Sequence, residues 1–207
     1  SYIYHNFNYY TEYYWRVRSS KSGENSEWSQ SRSFITLINN PELIEPTDNS
    51  KNQSINLTLK WKVVLGAESY LLQISDKMDF SNVIIEETVN TNQFTATGLD
   101  NLKKYYWKVR ANNPDRNSEF SSAWNFTTEI ACPELDKPDN NAKDLEYNGR
   151  LTWYAVMGAN SYHLQLAKDE NFTNIVDDID NIIFTFYDYS NLEEFQDYYW
   201  RVASQYE

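Results

Sequence analysis

The chain has 207 residues, rich in Tyr (17), Phe (10) and Trp (7) and poor in Gly (5) and Met (2), with a formal charge of −12 at pH 7. That balance excludes a reader of phosphate backbones, because nucleic-acid binding needs Lys and Arg to displace counterions, and it disfavours anionic membrane surfaces for the same reason. No apolar run approaches the ~20 residues of a membrane-spanning helix, so no membrane insertion is expected of this segment, and the wealth of aromatic and β-branched residues points to an all-β fold.

In chain order, the first candidate strand is YYWRV (Tyr13–Val17), followed by the turn-rich SSKSGENS (Ser19–Ser26) and by SEWS (Ser26–Ser29). NNPELIEP then reads as a short, semi-rigid junction, since proline fixes φ and keeps the residue before it extended; Leu43 in it, and Leu135 in the similar ACPELDKP, are expected to pack into the domain they enter. PTDNSKN reads as a turn. SINLTLKW (Ser54–Trp61) alternates, with Ile55, Leu57, Leu59 and Trp61 on the inward face. SYLLQIS (Ser69–Ser75) puts Tyr70, Leu72 and Ile74 inward, and its copy SYHLQLA puts Tyr162, Leu164 and Leu166 there. VIIEETV (Val83–Val89), NQFTAT (Asn92–Thr97) and AWNFTT (Ala123–Thr128) are shorter strand-like runs, separated by the turn-formers LGAE, SDKMDFSN and NNPDRNS. In YYWKVRA the inward set is Tyr105, Trp107, Val109 and Ala111, which leaves Tyr106, Lys108 and Arg110 facing out. No segment carries a helical period.

The pentapeptide recurs: YYWRV at Tyr13–Val17, YYWKV at Tyr105–Val109 and YYWRV at Tyr198–Val202. Trp15 and Trp107 are separated by 107 − 15 = 92 residues, and Trp61 and Trp153 by 153 − 61 = 92. Tyr70 and Tyr162, Phe80 and Phe172, and Phe34 and Phe126 share that offset, while Trp107 and Trp200 differ by 200 − 107 = 93. A period this long is a domain rather than a solenoid turn. The expected organisation is the C-terminal part of a first domain over residues 1–40, a complete domain over 41–132, and a third over 133–207 that lacks its last strand. The array is thus expected to be truncated at both ends, as an excerpt of a longer one, the alternative being that another chain supplies the missing last strand; the initial Ser in place of Met leads to the expectation that the natural start lies elsewhere.

A Trp in the second strand, a Tyr opening the third, Leu99 six residues before Tyr105, then YYWKVRA and SEFS…FTT together resemble a fibronectin type III domain, particularly the tandem kind of large bacterial surface or secreted proteins. The resemblance covers essentially the whole chain and implies tandem immunoglobulin-like β-sandwiches. It also implies a tyrosine corner at Tyr105, matched by Phe7/Tyr13 and Leu192/Tyr198, in which the hydroxyl bonds to backbone. Trp107 replaces the aliphatic residue common at its place, so the core is expected to be built around two tryptophans. Receptor domains of related type, with a Trp-Ser element before the last strand, imply that the outward cations sit over aromatics such as Trp28; SEWS is half of that element.

Chemical constellations are sparse. His5 and His163 do not recur from copy to copy, since Leu71 stands at the place of His163. DDID (Asp177–Asp180) and SDKMD (Ser75–Asp79) carry carboxylates without the spacing or glycine of a calcium loop, and read as solvated loops. Phosphate cradle, nucleophile elbow and zinc spacing are all missing, so no catalytic, cofactor-binding or metal residue is assigned. Cys132 is expected to be a free linker thiol. Asn52, Asn56, Asn125 and Asn171 head Asn-x-Ser/Thr triplets, which are acceptors for glycosylation only where the machinery meets them.

These features predict a non-enzymatic spacer or stalk segment of an extracellular or cell-surface repeat protein, with neighbouring repeats or copies of the same protein as its contacts. The alternatives are an adhesion module that binds a surface protein or glycan through loops and exposed tyrosines, with Tyr9 and Tyr10 as the candidate patch, and an accessory domain of a secreted hydrolase.

Overall fold

A computed structural model describes residues 3–206, and all of their regular structure is β. The strands are β1 (Glu12–Trp15), β2 (Ser20–Lys21), β3 (Glu24–Asn25), β4 (Arg32–Ile35), β5 (Leu43–Glu45), β6 (Ser50–Gln53), β7 (Leu57–Trp61), β8 (Ser69–Ser75) and β9 (Val83–Val89). They continue as β10 (Gln93–Ala96), β11 (Lys104–Asn112), β12 (Trp124–Thr128), β13 (Leu135–Lys137), β14 (Gly149–Trp153), β15 (Ser161–Ala167), β16 (Ile175–Ile182), β17 (Phe186–Tyr189) and β18 (Tyr199–Gln205). The residues form two compact units, one reaching to Leu99 and including Lys103–Thr127, the other joining Asp100–Leu102 to the chain from Thr128 on.

In the first unit a three-stranded sheet, β10-β7-β5, and a five-stranded sheet, β6-β12-β11-β8-β9, form a sandwich. Burial alternates residue by residue along β7, β8 and β11, as a strand with one face on the core requires. Trp61, Trp107, Leu59, Leu72, Ile74 and Phe126 are fully enclosed, and each large apolar side chain of this kind stabilises by about 1.5–3 kcal/mol. The two-tryptophan core is present. The indole N–H groups of Trp61 and Trp107 are buried without an acceptor, so these rings act through area and shape. Trp61 meets Tyr70 edge-on at 5.5 Å, and the Tyr70 hydroxyl accepts the N–H of Val64 at 2.9 Å, which ties the turn after β7 to the core.

The same unit includes β1, paired antiparallel with β4, and the β2–β3 hairpin, whose turn holds Ser22 and Gly23 at positive φ (54° and 90°) as a two-residue hairpin favours. Phe7, Tyr13 and Phe34 cluster there, with centroid separations of 4.5–5.8 Å. The inward face read for YYWKVRA is not buried in this first copy of the pentapeptide. Trp15 is 47% and Val17 58% exposed, because β1 pairs with β4 alone and no second sheet covers its face among the described residues.

The second unit repeats the pattern with sheets β13-β14-β17 and β16-β15-β18 around Leu151, Trp153, Tyr162, Leu164 and Leu166. Trp153 meets Tyr162 at 5.5 Å, and Tyr162 accepts the N–H of Val156 at 3.0 Å, the counterpart of the Tyr70 bond. One cross-strand pair reverses its sizes between units. Leu57 lies opposite Ala96 in the first, whereas Gly149 lies opposite Tyr189 in the second, and a Cβ on Gly149 would overlap the Tyr189 hydroxyl.

Three local expectations need correction. PTDNSKN is not wholly a turn, because Ser50–Gln53 forms β6 beside β12; its four polar residues give no apolar alternation to read, and its pairing comes from a distant strand. DDID lies within β16, not in a loop: an edge strand with one neighbour can carry charge at its outward positions. Leu43 packs into the core with Ile38, but Leu135 is 42% exposed and has no buried partner of that kind.

Candidate interaction surface

The outward stripe of the repeated strand places a cation at equivalent positions: Arg16, Lys108 and Arg201. Each lies over an aromatic ring of its own unit. Arg16 is 4.4 Å from the centroid of Trp28, Lys108 is 3.9 Å from Phe80 and 4.5 Å from Phe120, and Arg201 is 4.1 Å from Phe172. Arg18 and Arg110 extend the stacks at 4.6 and 5.4 Å. A contact of this kind contributes about 0.5–1 kcal/mol at exposed sites. The outward cations are therefore engaged within the fold, as the receptor-type resemblance implied for Trp28.

Tyrosine corners are seen at Tyr13 and Tyr198. Tyr13 accepts the N–H of Asn8 at 2.9 Å, and Tyr198 accepts the N–H of Glu193 at 3.0 Å. Sequence reasoning missed the role of the serines in SEWS and SEFS. Ser118 and Ser121 accept the N–H groups of Ala111 and Val109 at 2.9 and 3.1 Å; Ser26 and Ser29 do the same for Ser19 and Val17 at 3.1 and 3.0 Å. The spacing Ser-x-x-Ser is the signal that could have found them, because it brings two hydroxyls to alternate backbone donors of the neighbouring strand.

His163 faces outward and bonds to Asp178, Nε2 to Oδ1 at 2.5 Å, with Asp180 at 3.7 Å from Nδ1. That hydrogen bond, with a second from Gln165, holds the Asp178 carboxyl below its ordinary range. Among the described residues no group of three or more His, Cys, Asp or Glu side chains is arranged to hold a metal ion. His5 is exposed, and Cys132 is a free, exposed thiol. Asn52, Asn56 and Asn171 are exposed, whereas Asn125 is half-buried and its amide donates to Asp48 and Asn49. Of the tyrosine patch, Tyr9 is 55% exposed, but Tyr10 is committed: its ring covers Gly66 and its hydroxyl accepts from Asn113 at 3.3 Å.

Comparison with known proteins gives one curated relative, the mouse fibronectin type III domain-containing protein 7, 30% identical over 115 residues that make up 56% of this chain. The chain is similar to fibronectin type III proteins. It spans 14% of that relative's length, and no family profile matches it. Solved structures to which the chain is similar include the FN1–FN3 domains of chicken CNTN1, 17% identical with 96% of this chain and 73% of that one covered and a TM-score of 0.39. A two-domain fibronectin type III segment of chicken tenascin is 18% identical, with 82% and 91% covered and a TM-score of 0.40.

Proposed function

We propose that this segment is a non-catalytic spacer of tandem fibronectin type III-like sandwiches in an extracellular or cell-surface protein. One observation carries the reading: what recurs in the sequence serves the sandwich itself. Tyr13 and Tyr198 each close a corner, Trp107 fills the core and Trp200 packs against it, and the repeated cation lies on an aromatic ring of its own unit. Its contacts are with neighbouring repeats of the same protein. In the source protein, deleting or duplicating one repeat should change the reach of whatever the protein carries, whereas replacing the exposed loop residues Pro114–Asn117 should change nothing. Loss of attachment or assembly on loop replacement, with the repeat number intact, would overturn the spacer reading in favour of a binding module. That second reading is favoured by one patch, the exposed Ile183 and Phe184 between β16 and β17.

A further inference from the structure

Three bulky residues stand three places before the repeated tyrosine: Tyr10 before Tyr13, Leu102 before Tyr105, and Phe195 before Tyr198. Their spacings are 102 − 10 = 92 and 195 − 102 = 93, the period of the repeat. All three have positive φ, at 41°, 49° and 55°. Large side chains rarely adopt that conformation, and it persists where the surroundings over-determine it.

Two of the three share one use. Within the first unit, Tyr10 lies against Gly66 so closely that a Cβ there would overlap its ring; within the second, Leu102 does the same to Gly158. The two glycines are also related by 158 − 66 = 92, and both have positive φ, at 84° and 83°. The backbone is anchored alike: the N–H of Tyr10 donates to Leu37 and that of Leu102 to Glu129, each at 2.8 Å. In the first unit Asn113 also donates to the Gly66 carbonyl at 2.6 Å. The device is a knob held out by a left-handed residue and a seat that only glycine leaves open.

The third knob is bare. Phe195 is 107% exposed, more than any other large apolar residue described. We infer that Phe195 docks on the glycine turn of a further repeat of this kind in the same polypeptide, in the way Tyr10 meets Gly66 and Leu102 meets Gly158. A second copy of this chain is a poor partner, because its own Tyr10 and Leu102 already cover both seats. A single side chain also buries too little area to hold two free molecules together, so the contact depends on the high effective concentration of a tether. The inference rests on the tandem-repeat reading for its partner.

The test extends the 207-residue protein beyond Glu207 with a copy of residues 115–207 that carries Phe195→Leu, so that the peptide with the original Phe195 is distinguished by mass. Glu207 matches Pro114 (207 − 93 = 114), so the copy continues the period and supplies a fresh Gly158. Hydroxyl-radical footprinting then compares Phe195 in the original and extended proteins, with exposed Met78 as the reference. Oxidation of Phe195 is expected to fall several-fold on extension while Met78 is unchanged. Replacing the appended Gly158→Asn, which tolerates positive φ but fills the seat, is expected to restore it. Equal oxidation of Phe195 in the original and extended proteins would overturn the inference and leave the spacer reading standing. Protection that survives the asparagine would overturn the glycine seat. Phe195→Ala in the original protein is expected to leave its melting temperature unchanged, and a drop there would show that Phe195 already serves its own unit.

Discussion

The hydroxyl of Ser118 accepts the N–H of Ala111 at 2.9 Å and donates to the carbonyl of Glu119 at 2.6 Å, so one buried side chain satisfies backbone groups on both sides of a gap in the ladder. Ser118→Ala leaves a buried donor without its partner, which costs about 1–3 kcal/mol. Ser26 makes the equivalent bond to Ser19 in an exposed setting, where water can replace it. Urea denaturation should therefore show a clear loss for Ser118→Ala and almost none for Ser26→Ala. Equal effects would mean that burial is not what gives the bond its weight.

The reversed pair Gly149/Tyr189 predicts a compensated exchange. Gly149→Leu drives a side chain into the Tyr189 hydroxyl, and Tyr189→Ala empties a buried site, so each alone destabilises. The double substitution reproduces the Leu57/Ala96 arrangement and conserves volume, which cores tolerate best. A double-mutant cycle should give a favourable coupling of about 0.5–3 kcal/mol. Strictly additive losses would contradict it.

Asp169 accepts N–H groups from Thr173 and Asn174, and these bonds hold its carboxyl below the ordinary range. Because the folded value is lowered, the contribution to stability is complete above the ordinary Asp range and is lost as pH falls through the folded value. An NMR titration should place the Asp169 midpoint below that of a reference peptide, with amide protection at Asn174 fading over the same interval. A midpoint at the reference value would remove the loop anchor.

Lys108 lies between Phe80 and Phe120. Lys108→Met keeps the stem and removes the charge, and it should cost about 0.5–1 kcal/mol, coupled to Phe80→Leu in a double-mutant cycle. Zero coupling would leave the cation available to an outside ligand, against the spacer reading.

What could be read from the sequence follows from what leaves a period. Strands β7, β8 and β11 alternate because one face is buried, so Leu59, Leu72 and Trp107 were legible as core. The 92-residue offset was legible because equal folds need equal anchors. Strand β6 was not, since SKNQ has no apolar face and is held by its neighbour in the sheet. The role of Tyr10 was equally hidden: a positive φ leaves no mark on a tyrosine, and the glycine that receives it lies 66 − 10 = 56 residues away.

Tandem sandwiches with one pattern run a particular danger while they fold, because a strand of one can pair into the sheet of the next. The Leu57/Ala96 and Gly149/Tyr189 pairs bear on that hazard. Strand β10 in the place of β17 would set Ala96 against Gly149 and leave a hole, while β17 in the place of β10 would force Tyr189 against Leu57. Either exchange thus carries a penalty in size at this pair, a hole in one sheet and an overlap in the other.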